Sequence, residues 1–337
     1  MHLMTKSKFT PNPELSNRIG FYAKEFERLK KELGTVVIGQ NEIIDSLMEG
    51  IIANGHVLVE GVPGIGKTLL VKTLSKLTGG AFSRIQFTPD LLPTDIVGIT
   101  TYEEGRGFYT IKGPVFANFV LADEINRSPP KVQSALLEAM QEKQVTIGKE
   151  TFLLPEPFFV MATQNPLENL GTYKLPEAQV DRFLYKLSMG YPSLKEEISI
   201  LDNNITIKKF EEFTVEPIFN PLQIIEFQNF VKKIYIDDKI KSYIVRLVDA
   251  TRNPGKYSLK TAKYIEFGAS PRSSIGLFIA AKAHAFVKGR AYVTAQDVKD
   301  VAFNVLRHRV LLNFEGEAEQ IKSEQIIEEI LHKVPIL

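Results

Sequence analysis

The chain has 337 residues, 44% hydrophobic and 24% charged, with a formal net charge of +1. That length passes the ~250–300 residues at which one core usually gives way to two domains, and the balanced charge gives no bulk attraction for nucleic acid, so no such partner is expected and a nucleic-acid-directed motor, like a nucleotide-gated interaction module with little hydrolysis, stands only as an alternative reading. The lack of cysteine excludes disulfides and thiolate chemistry. No apolar leader and no membrane-length apolar run is present, so the chain reads as cytoplasmic, without membrane insertion.

Residues 1–14 read as a flexible arm. Residues 15–33 carry an amphipathic helical pattern closed by Gly34, and a second helix puts Ile43, Ile44, Leu47, Ile51 and Ile52 on one face. Residues 56–60 form a buried-strand pattern. They run into Gly61-Val62-Pro63-Gly64-Ile65-Gly66-Lys67-Thr68 and then a helical run to residue 77. Strand, glycine-rich loop and helix is the context of a phosphate-binding P-loop. Glycines let the backbone bend closely around phosphates, and the helix aims its first N–H groups at the same anions. Lys67 is expected to neutralise the β- and γ-phosphates of ATP, and Thr68 to ligate Mg²⁺.

Residues 83–87 are a second strand, and the Pro-bounded stretch 89–98 is a loop or short helix. Residues 100–111 fold back around Gly105-Arg106-Gly107 as a hairpin unusually rich in aromatics (Tyr102, Phe108, Tyr109), a candidate contact element. A buried strand, 119–122, ends in Asp123-Glu124. Asp123 is a candidate Mg²⁺ ligand, and Glu124 a candidate to polarise the attacking water. A helix over 130–142 and a second hairpin over 145–153 follow. The strand 158–162 then closes in Asn165, placed either to orient the water or to make an Asx turn before Pro166.

Buried strands alternating with helices predict a parallel, doubly wound α/β sheet. Ligands gather at the carboxyl ends of such strands, where both Gly61 and Asp123 leave theirs. After about residue 192 the pattern becomes helical: 194–203, 221–231, 237–250, 271–287, 294–312 and 318–333. The expected organisation is an α/β domain over 15–195, a linker over 196–220 and an all-helical domain over 221–337. Arg182 and Arg272 are candidates for stabilising phosphoryl charge, and each could equally be a salt-bridged surface arginine. Ser270 and Pro271 read as the cap and first residue of a helix, which puts the Arg272 cation against the helix dipole unless an anion lies nearby. The histidines have no metal-ligand spacing. His308 reads as a helix-surface or interdomain residue.

Taken in order, VIGQ (37–40), GVPGIGKT (61–68), IQFTPDLLPTDIVG (85–98), DEINRSPPK (123–131), FFVMATQNP (158–166), LPEAQVDRF (175–183) and GASPRSS (268–274) resemble the MoxR branch of the AAA+ ATPases, over roughly residues 15–335. The resemblance implies a P-loop ATPase core with a helical lid and ATP with Mg²⁺. It implies nucleotide contacts from Val37, Ile38, residues 61–68 and Leu69, and a catalytic set of Lys67, Glu124, Asn165, Arg182 and Arg272. Asn165 matches sensor 1. Arg182 matches an arginine finger acting on a neighbour, and Arg272 the sensor-2 arginine, carried by the lid onto its own subunit's nucleotide. Arg127 is a further candidate to reach across the interface. The hairpins 100–111 and 145–153 correspond to inserts facing the pore or top of a ring. The family precedent is a hexamer that remodels a client protein, often to mature a complex or insert a metal or cofactor. Its usual partner has a von Willebrand factor A domain. Hydrolysis is expected to change the angle between the α/β domain and its lid.

Overall fold

The computed structural model describes residues 13–105, 107–166, 171–203, 213 and 215–336. Of the expected arm, 1–12 lie outside the described residues, and Pro13 and Glu14 already belong to helix α1 (Pro13–Val36), which buries Ile19, Phe26, Leu29 and Leu33. Helix α2 (Asn41–Ile52) follows and leads to strand β1 (Val57–Gly61).

The main sheet is parallel and five-stranded. β1 lies between β8 (Phe159–Gln164) and β9 (Tyr185–Met189); β5 (Phe119–Asp123) lies beyond β8, and β2 (Phe82–Gln86) forms the other edge. Strand alternation divides the interior into two cores. Val57, Val59, Phe119, Leu121, Phe159 and Met161 face one side, with α1, α2 and α3 (Lys67–Leu77). Leu58, Val120, Ala122, Val160 and Ala162 face the other, with α5 (Pro130–Glu142). The central strands are apolar on both faces because both are covered.

Between β2 and β5 the chain makes the short helix α4 (Pro93–Val97) and a hairpin of β3 (Gly98–Glu103) and β4 (Gly107–Lys112). A second hairpin joins β6 (Gln144–Ile147) to β7 (Glu150–Leu153). The tips stay exposed: Tyr102 is 63% and Phe108 79% accessible, and their rings meet edge to face.

The sequence reading missed β9. Its alternation of Tyr185, Leu187 and Met189 with Lys186 and Ser188 was the available signal, and the burial follows it. Beyond it, α6 (Glu177–Val180) precedes the strand and α7 (Leu194–Asn203) follows. Of the expected linker, 204–212 and 214 lie outside the described residues. Val215 and Phe219 are buried in the first core.

The lid comprises α8 (Pro221–Lys233), α9 (Asp238–Arg252), α10 (Pro271–Val287), α11 (Ala295–Leu306), α12 (Phe314–Ala318) and α13 (Ser323–Lys333). Side-chain caps start α8 at Asn220, α10 at Ser270 and α11 at Thr294. The helix expected over 294–312 stops at Leu306. Leu311–Leu312 (β11) instead pairs antiparallel with Ile265–Phe267 (β10), a short ribbon within an otherwise helical lid. The lid has no separate interior: Phe227, Tyr243, Leu277, Val298 and Ile326 belong to the same core as α1, α2 and α3. None of the described helices is long and apolar enough to cross a membrane.

Candidate active site at the carboxyl edge of the sheet

The loop after β1 turns through two left-handed residues, Gly64 at φ +83° and Gly66 at φ +88°. A Cβ at either would meet nothing within 4 Å, so backbone conformation, not space, is what calls for glycine. Gly61 is a glycine for the other reason: a Cβ there would sit 2.8 Å from the Met189 carbonyl on β9. Gly66 caps α3 without a side-chain acceptor, and no acidic residue stands in the first turn, so the helix's first N–H groups remain available to an anion. Lys67 is buried and donates to the Gly61 carbonyl at 2.7 Å. Burial lowers its pKa below the ordinary lysine value, while Asp123 and Glu124 pull the other way.

Asp123 ends β5, opposite Gln86 of β2. Its Oδ1 accepts the Thr163 hydroxyl at 2.7 Å, and its Oδ2 accepts from Arg84 Nη2 at 2.7 Å. The next residue leaves the strand in the left-handed region, Glu124 at φ 57° and ψ 49°. A non-glycine residue there costs roughly 1–2 kcal/mol, and three contacts hold it. The Glu124 N–H donates to Thr163 Oγ1 at 2.9 Å, while its carboxylate accepts from Gln86 Nε2 at 2.9 Å and Arg127 Nη1 at 3.0 Å. One hydroxyl, that of Thr163, thus serves both acidic residues. Asn165, just past β8, is buried at the same end of the sheet. Thr163, Arg84 and Gln86 escaped the sequence reading because each reaches the acids across strand pairings that carry no local motif.

A cavity of about 470 Å³ opens beside the loop. Pro63, Gly64, Ile65, Gly66 and Leu69 line one side and Val37 and Ile38 another. Tyr191, Pro192 and, from α7, Ile200 and Leu201 complete an apolar wall that the sequence did not announce. The hard oxygens of Thr68 and Asp123 are the donor set that Mg²⁺ takes, and a carboxylate accepting two partners retains lone-pair capacity for it. The residues present therefore fit both groups.

The two other arginines stand elsewhere. Arg182 is exposed and donates to the Leu137 carbonyl at 2.9 Å. Arg272 lies in the first turn of α10, its guanidinium 4.0 Å from Asp181. Ser270 caps that helix as expected, and the anion that relieves the Arg272 cation is the Asp181 carboxylate. Asp181 precedes β9, at the amino end of the sheet, whereas the P-loop follows the carboxyl end, where Gly61 pairs with Met189. The length of β9 alone separates them by about 13 Å. In this structure Ser270 ties the start of α10 to Asp181, Arg272 stands beside that carboxylate, and no arginine lines the cavity among the described residues.

Residues 56–185 match the family described as ATPase family associated with various cellular activities (AAA), and residues 258–330 match the AAA lid domain. Over 313 residues the chain is 48% identical to Chaperone MoxR1 of Mycobacterium tuberculosis, covering 92% of this chain and 82% of that protein. The chain belongs to the MoxR family of AAA+ ATPases. Protein MoxR of Methylorubrum extorquens is 29% identical, over 91% of this chain and 92% of its own. A crystal structure from Cytophaga hutchinsonii, described as a candidate ATPase, superposes with a TM-score of 0.89 at 48% identity, covering 96% of this chain and 98% of its own. The doubly wound parallel sheet with its helical lid is thus the MoxR-family arrangement.

Proposed function

We propose that this chain binds Mg·ATP in the cavity beside the P-loop and hydrolyses it to ADP and phosphate. The observation that carries this reading is the convergence of three neighbouring parallel strands, β5, β8 and β1, on one edge where Lys67, Asp123–Glu124 and Asn165 meet. Lys67 neutralises the β- and γ-phosphates as the first N–H groups of α3 cradle them. Thr68 and Asp123 hold Mg²⁺, which supplies charge to the phosphoryl oxygens. Glu124 accepts the proton of the attacking water, and Asn165 orients that water. Val37, Ile38, Leu69 and the Tyr191–Pro192 wall take the base.

Beyond Lys67, no arginine among the described residues lines this chain's own cavity to stabilise the transferred phosphoryl. Arg182 and Arg272 stand together at the other end of the sheet, which supports delivery by a neighbouring subunit, with Arg127 held back on Glu124. Head-to-tail contacts of that kind close into a ring when the rotation between subunits allows, and the proposed ring is a hexamer. On family grounds the ring remodels a client protein in the cytoplasm, with a von Willebrand factor A partner, in complex maturation or in metal or cofactor insertion. The exposed hairpin tips are the contact elements of that reading.

The test is ATP turnover per subunit as protein concentration rises, with Mg²⁺ and no client. Specific activity is expected to climb as rings assemble, and Arg182→Ala to lower it by at least ~10³-fold while ATP still binds. Turnover that stays flat with concentration and survives Arg182→Ala overturns the shared site.

A further inference from the structure

The lid holds a side-chain grip on the segment that carries Arg182. Arg309, in the turn after α11, is 7% exposed. Its Nε donates to Asp181 Oδ1 at 2.6 Å. Its Nη2 donates to the Asp181 carbonyl at 3.1 Å and the Phe183 carbonyl at 2.8 Å, and its Nη1 to the Leu184 carbonyl at 3.2 Å and the Val305 carbonyl at 2.5 Å. Every N–H of the guanidinium has an acceptor, and most of those acceptors flank Arg182. His308 adds a bond from Nε2 to the Phe183 carbonyl at 3.2 Å, and Ser270 donates to Asp181 Oδ2 at 3.0 Å. The lid is also shaped around the guanidinium: a Cβ on Gly276 of α10 would stand 3.5 Å from Arg309 Nη1 and 3.1 Å from Val305.

A buried ion pair is a poor device for stability, since desolvation offsets most of its attraction; its best use is to fix geometry. Here the geometry fixed is that of residues 181–184, while the Arg182 side chain itself leaves the grip and stays exposed. We infer that Arg309 is a positioning residue for Arg182, fastening the finger segment to the lid so that finger and lid move as one body. This rests on the reading that Arg182 acts on a neighbour's nucleotide. Arg309 touches no reacting atom in that scheme. It sets where the finger stands, and a displacement of about 1 Å at a catalytic group can cost on the order of 100-fold in rate.

Subunit mixing tests the inference. Arg309→Lys keeps the charge but loses the planar fork. Alone, it is expected to lower turnover by about 10- to 100-fold and to lower the melting temperature, because buried carbonyls lose their donors, with ATP binding close to wild type. Its own P-loop, Asp123 and Glu124 remain intact, so a neighbour with a sound finger should rescue it. Glu124→Gln subunits provide such fingers while being unable to hydrolyse. Mixing the two variants should restore turnover, and mixing Arg309→Lys with Arg182→Ala should not. Asp181→Asn, which weakens the grip from the other side, should behave as Arg309→Lys does, and it serves if the lysine variant fails to fold. The control pair is Arg182→Ala with Glu124→Gln. If that pair stays dead, the shared-site reading itself has failed. If it recovers and neither grip variant does, the defect lies within the variant's own subunit and the positioning role is overturned. Wild-type turnover by both grip variants overturns it as well.

Discussion

Glu124 is the residue on which the proposed chemistry turns, and its backbone sits in a costly region only because Gln86, Arg127 and Thr163 hold it there. Replacing it with glutamine keeps the shape but removes the base. Equilibrium binding of ATP should persist while turnover falls by at least ~100-fold; comparable turnover by the variant would remove Glu124 from its role. Thr163 offers a sharper test. Thr163→Val leaves Asp123 Oδ1 without its hydroxyl donor and the Glu124 N–H without its acceptor. Such losses cost about 1–3 kcal/mol when buried, so a lower melting temperature and slower turnover should appear together, and Thr163→Ser should recover both. The loop at Gly61–Thr68 and the Asp123-Glu124 pair were legible in the sequence because their groups are contiguous and follow a strand. Thr163, Arg84 and Gln86 were not, because their role depends on register: Gln86 faces Asp123 only once β2 and β5 have paired.

Among the elements, α5, α7 and α10 were readable to the residue, since a clear pattern or a proline start marks each. β9 was not, because a short strand carrying Lys186 and Ser188 resembles a surface segment until its partner β1 is known. The end of α11 was misread because Arg307, His308 and Arg309 continue a helical pattern, while in the folded chain His308 and Arg309 turn inward to meet residues 181–184. His56, at the entrance to β1, is a fully buried imidazole that joins elements. Its Nδ1 accepts the Val160 N–H at 3.1 Å, and its Nε2 donates to the Met140 carbonyl at 3.1 Å. Burial pushes its pKa down to about 4 from an ordinary 6.5. A depressed pKa stabilises the fold above the unfolded value, and that stability is lost as pH falls from about 6.5 through 4, a window worth roughly 3 kcal/mol. Denaturant unfolding across that range should be shallower in pH for His56→Gln than for the wild type. Equal slopes would assign the acid sensitivity elsewhere.

For the whole molecule, the clearest feature is the join between the lid and the sheet. His284 of α10 bonds Glu49 of α2 at 2.7 Å, Tyr185 of β9 donates to the same carboxylate at 3.0 Å, and Asp300 of α11 lies 3.4 Å from the other ring nitrogen. Burial opposes charge on His284, but the bond to Glu49 and the fields of Glu49, Asp297 and Asp300 outweigh it and raise the pKa above 6.5. The sign is opposite to that of His56. Stability from this contact is complete below the unfolded pKa and fades as pH rises through the raised folded one. His284→Gln should therefore destabilise the protein more at pH 6 than at pH 9, and a pH-independent loss would show that the ring serves only as packing. The α/β class and the helical lid were legible at this scale, each from runs of one period. Their fusion was not, since both apolar faces look alike whether they meet each other or stay apart.

That fusion bears on how the chain can be inherited or cut. Two family descriptions match two separate stretches, which suggests modules that could be traded between genes. The interior has no corresponding seam: Phe26 of α1 packs its ring on Phe219, Phe227 and Phe286, from either side of any such cut. A gene divided after codon 220 should yield two insoluble fragments, because each would bare the apolar face that the other now covers. In this molecule the lid is an outer layer of the ATPase, and recombination can move it only together with the helices beneath it.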